Sequence, residues 1–136
     1  PGAESARTLA RIAQKMHGFM TGTVQEPFWL LLIALCEALA AELAEPDECI
    51  AQIFKAGAFM VKYAREHGSA ADPAMDYPAY IQQALYYMAA CPVQPLYVAH
   101  VWKVFGLTGH TLRDAQRGLI HSDALLAACN AAAACA

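Results

Sequence analysis

Five histidines are the first candidates for chemistry in this chain: His17, His67, His100, His110 and His121. A helical metal site needs two of them four residues apart with carboxylate support, because that spacing stacks both imidazoles over one ion. No pair has that spacing, so no metal is expected. Phosphoryl transfer is the other histidine chemistry to weigh. A phospho-accepting histidine faces solvent in an H-x-x-K-G pattern, where the lysine screens phosphate charge and the glycine leaves room for the donor. His110-Thr111-Leu112-Arg113-Asp114 follows this in part, but Asp114 replaces the glycine and would repel an incoming phosphoryl group. His100-Val101-Trp102-Lys103-Val104 half matches, with branched Val104 in the same place. His110 is therefore the candidate phospho-acceptor, against the plainer reading of a solvated connector histidine. His100 reads as a half-buried helix histidine. Ser5, Ser69 and Ser122 each fall near a helix end or loop, where capping explains them better than nucleophilic attack. No nucleophile elbow, P-loop or dinucleotide fingerprint occurs, so neither catalytic residues nor a cofactor are expected.

The thiols and charges exclude further classes. Cys36, Cys49, Cys91, Cys129 and Cys135 are odd in number, form no C-x-x-C pair and mostly sit in apolar stretches. That is the pattern of reduced, buried cysteines in a cytoplasmic protein. The net charge of −3 and the scattering of nine Lys and Arg, without a basic run or stripe, argue against nucleic acid. Hydrophobic residues make up 58% and charged residues only 15%, below the quarter or so usual in soluble domains. Some apolar surface is therefore expected to meet a partner, a second copy or the rest of a longer chain. The first residues, Pro1-Gly2, lack an initiator Met, so the reading expects a segment of a longer protein. The longest apolar run, from Phe28 to Cys36, is stopped by Glu37 and is too short to span a bilayer.

The elements that position these residues all read as helices, several opened by proline, whose missing N–H costs nothing in a first turn. The first helix is predicted over about 5–20, with Leu9, Ile12, Ala13, Met16, Phe19 and Met20 at three- and four-residue steps. The second, opened by Pro27, runs to about 43 and is apolar nearly all round, as a central helix must be. Pro46 opens the third, with Asp47 and Glu48 as first-turn acids and Gly68 as the stop. A loop over 69–76 leads to a fourth helix opened by Pro78 and ended by Pro92, and a fifth covers 96–105, closed by Gly106. A polar connector follows, and then a last alanine-rich helix from Ser122 to Cys135. The fold class is all-α, a bundle of about five to six helices, with a domain over 1–121. Residues 122–136 read as the start of the next element.

Aromatic residues crowd this frame: Phe28-Trp29, Tyr77, Tyr80, Tyr86-Tyr87, Tyr97, Trp102 and Phe105. Most are expected in the core, but neighbours such as Tyr86 and Tyr87 cannot both point inward. Tyr86, Tyr87 and Trp102 are therefore the candidates for a partner surface.

The order of segments carries a resemblance. Leu9-Ala10-Arg11-Ile12 leads to Glu26-Pro27-Phe28-Trp29 and then Leu35-Cys36-Glu37-Ala38-Leu39-Ala40. After the long third helix come Gln83-Ala84-Leu85-Tyr86-Tyr87-Met88-Ala89 and Val101-Trp102-Lys103-Val104-Phe105-Gly106-Leu107. This series resembles the N-terminal helical region of ChpA/PilL-type hybrid histidine kinases of the type IV pilus chemosensory system, and equally the related FimL regulators. The third helix of those relatives is strongly charged, whereas 50–61 here is mostly apolar. The resemblance implies a histidine-phosphotransfer-like bundle without the phospho-acceptor, serving as a non-catalytic scaffold for other signalling or pilus-regulatory proteins. It also implies a cytoplasmic place, at the inner face of the membrane through partners. Two alternatives stay open: active phosphotransfer through His110, and self-association into a homodimer through the helix at 122–135.

Overall fold

The computed structural model describes residues 2–107 as five α-helices, with no strand among the described residues: α1 (Gly2–Phe19), α2 (Glu26–Ala40), α3 (Glu48–His67), α4 (Tyr77–Ala90) and α5 (Leu96–Phe105). The all-α expectation holds. The connector, His110 and the predicted helix at 122–135 lie outside the described residues.

Helix α2 is the hub and touches each of the other four helices. Its residues from Pro27 to Cys36 are all buried, which is why the sequence could leave it apolar on every side. Phe28, Trp29, Leu31, Leu32 and Leu35 are among the largest fully buried side chains, and each contributes about 1.5–3 kcal/mol by leaving water. Helix α1 lies against it through Ala6 and Ala13, with Met20 buried just past its end and the polar side turned outward. Helices α3 and α4 pack through Ile50, Ile53, Met60, Ile81, Leu85 and Met88, and α5 closes the core with Val98 and Val101. Gly57 lets α3 approach α2 closely: a Cβ there would lie 3.1 Å from Leu32 Cδ2, with Phe28 and Trp29 each at 3.8 Å.

The second helix closes at Ala40, three residues before the predicted end. Leu43 N–H donates to Ala38 C=O at 2.8 Å and Glu42 N–H to Leu39 C=O at 3.1 Å, the two bonds of a Schellman motif. The motif needs a left-handed residue, and Glu42 supplies it at φ 59°. Glycine favours that conformation, so no sequence signal marked the stop. Glu42→Gly is accordingly expected to raise stability by about 1 kcal/mol, read as a higher denaturant midpoint with unchanged slope.

Acidic caps mark two other starts. Asp47 is the N-cap of α3, and its Oδ1 accepts from Ile50 N–H at 2.8 Å. Asp76, taken above as the end of a loop, is the N-cap of α4 and accepts from Ala79 N–H at 3.2 Å.

Candidate docking site

Helix α5 has Pro95 as its N-cap, whose side chain has no acceptor for the free N–H groups of the first turn. Glu37 of α2 takes that duty from across the core. Its Oε1 accepts from Tyr97 N–H at 2.8 Å and Val98 N–H at 3.0 Å. A carboxylate at a helix N-terminus is favoured by both hydrogen bonding and the helix dipole. At the other end of α5, Trp102 Nε1–H donates to Met88 C=O at 2.8 Å and ties the helix to the C-terminal part of α4.

The structure pairs two of the three candidate partner-surface residues, Tyr86 and Tyr87, and seats the third, Trp102, on the backbone of Met88. Tyr86 is 45% exposed, and its ring meets Tyr87 edge-on at 5.8 Å. Tyr87 is half-buried, and its hydroxyl donates to Asp47 Oδ2 at 2.5 Å, so α4 is latched to the cap of α3. Trp102 is half-buried with its N–H engaged on Met88. Only Tyr86 among the three presents a ring whose hydroxyl has no partner among the described residues.

The latch has a pH signature. The Tyr87 hydroxyl first, then Ile50 N–H, hold the Asp47 carboxyl below its ordinary value, while burial and the bond to Asp47 push the Tyr87 phenol up. A depressed carboxylate stabilises the fold above its unfolded value of about 4 and loses that contribution as pH falls through the lower folded value. Asp47→Asn should therefore flatten the fall in stability below about pH 4, measured by urea unfolding across that range.

The remaining candidate groups do not converge. His17 lies 3.7 Å from Glu26, His67 lies 3.7 Å from Glu66 and stacks on Tyr63 at 4.2 Å, and His100 is exposed rather than half-buried as expected. The side chain of α5 that turns inward next to it is Val101. No group of three or more His, Cys, Asp and Glu among the described residues is placed to hold a metal. Cys36 is fully buried and its thiol is pushed up to about 12 by burial, and Cys91 is raised by burial and then by the charge of Glu37. Cys49 is half-exposed and points its thiol at Gln83 Oε1 at 3.5 Å. Iodoacetamide labelling of the native chain at about pH 8, resolved by peptide mass spectrometry, should mark Cys49 and leave Cys36 and Cys91 unmodified, since the thiolate is the reacting form.

A groove of about 660 Å³ lies along the acidic α2–α3 turn. Leu9, Leu39 and Phe54 line it, and Glu42 and Glu45 stand at its edge. No sequence signal marked it, because its walls come from three helices and the left-handed turn at Glu42. None of the described helices is long and apolar enough to cross a membrane.

No curated protein and no solved structure matches the chain significantly. A family of known domains does: the FimL scaffold protein second domain matches residues 1–118, most of the chain and all five helices. With the match running across the whole described bundle, the chain belongs to the family of FimL scaffold protein second domains.

Proposed function

We propose that this domain is a non-catalytic docking module in a type IV pilus chemosensory pathway controlling twitching motility, holding other signalling or pilus-regulatory proteins at the inner face of the cytoplasmic membrane. The observation that carries the reading is membership of a scaffold family across residues 1–118. The exposed Tyr86 ring on α4 supports a contact there, since a half-sunk tyrosine offers apolar area with little entropy to lose. Tyr87 would serve by fixing that ring's edge, and Trp102 by holding α5 on α4.

The test is genetic and biochemical together. In-frame removal of the domain from its host protein should shrink the twitching zone, and Tyr86→Asp should do the same while leaving the folded domain intact by circular dichroism. Normal twitching after removal of the domain would sink the reading. The competing phosphotransfer reading predicts acid-labile phosphate that disappears in His110→Gln, and such a label would replace the non-catalytic assignment.

A further inference from the structure

The charges of this molecule are unevenly divided. Helix α1 carries three cations and one acid, whereas residues 20–107 carry four cations and nine acids. The three cations, Arg7, Arg11 and Lys15, recur every four residues, so the helix gathers what looks scattered in sequence into one exposed row of about 12 Å. No salt bridge among the described residues involves any of them. Beside the row, on the same helix, Ile12 is 39% and Phe19 55% exposed.

The groove described above has the complementary character. Its floor is Leu9, Leu39 and Phe54, and its edge is Glu42 and Glu45, both exposed. Cations beside apolar side chains on one surface fit carboxylates beside an apolar groove on the other. Both surfaces belong to each copy of the chain. Leu9 lies toward the start of α1 and Phe19 at its end, so two α1 helices run antiparallel bring the Phe19 end of each over the Leu9 end of the other. That is a two-fold contact in which the same bonds form twice.

We infer that the domain self-associates through this contact: the outer face of α1, with Arg11 and Lys15 beside Ile12 and Phe19, seats in the acid-edged groove of a second copy. A bilayer is a poorer fit. Three cations fall short of the four to eight that mark a lipid-binding cluster, and the main apolar face of α1 is already buried against α2. The contact is independent of the pathway proposed above, and a monomeric chain would leave that proposal standing.

Sedimentation equilibrium of the whole 136-residue chain tests it. A dimer is expected, weakened about tenfold or more as salt rises from about 0.05 to about 0.5 M, because opposed surface charges are screened. Arg11→Glu with Lys15→Glu should give a monomer, as should Glu42→Lys with Glu45→Lys, with thermal midpoints showing both variants folded. Mixing the two variants should restore a dimer. A single-copy mass at every concentration, or a dimer indifferent to both reversals, would overturn the inference.

Discussion

Glu37→Ala is expected to lower the unfolding free energy by about 2 kcal/mol and to loosen α5 before the rest of the bundle. The carboxylate accepts two N–H groups in the first turn of a helix whose own N-cap, Pro95, offers no acceptor. Losing a side-chain cap costs about 1 kcal/mol, and charged hydrogen bonds contribute more than neutral ones. The local readout is hydrogen exchange: the amides of Tyr97 and Val98 should lose protection by more than the global change. Glu37→Gln keeps an acceptor of similar reach and should recover at least half of the loss. A Glu37→Ala variant within about 0.5 kcal/mol of the parent, with those amides still protected, would show that α5 is held by apolar packing alone.

Trp29→Ala carries the larger cost, about 5 kcal/mol, enough to leave a domain of this size near the edge of folding. Trp29 is completely buried, meets Phe28 edge-on at 5.2 Å, and lies against the position where α3 comes closest, at Gly57. Its removal opens a cavity at the hub helix. It also strands a buried acceptor, because Trp29 Nε1–H donates to Oε1 of Gln25, itself only 2% exposed. Trp29→Phe separates the two effects: it fills most of the volume but leaves the Gln25 oxygen unpaired, for an expected loss of about 1–3 kcal/mol. Urea unfolding followed by circular dichroism reads both variants. Equal losses in the two would mean that the Gln25 bond, rather than ring volume, dominates at this site.

These two residues also give the domain a rigid body beneath the surfaces proposed above for docking. Glu37 and Trp29 lie on the same buried helix and fix α5 and α3 respectively, while Tyr86 and the outer face of α1 remain exposed. Rigid support lowers the ordering cost of a contact, so more of the interaction energy is available for affinity.

The elements were legible in the sequence because their signals are local. Gly68 and Gly106 close α3 and α5 where expected, Pro92 lies just past the end of α4, and the run from Phe28 to Cys36 announced a central helix. The order of those segments also pointed to the family, which the match over residues 1–118 shows. What escaped depends on residues far apart in the chain or on a conformation that residue type does not reveal. Glu42 ends α2 in a left-handed state that its side chain does not favour, so the predicted helix ran three residues too long. Glu37 read as the stop of an apolar run, and its partners stand 60 and 61 positions away. Asp47 read as a first-turn acid, although its second oxygen binds Tyr87 forty positions on. Arg7, Arg11 and Lys15 read as scattered until the helix put them in one row, and the groove exists only where α1, α2 and α3 meet. Backbone propensity and hydrophobic period act over a few residues and set the helices; caps in trans, latches and grooves arise only when packing brings separate helices within bonding distance.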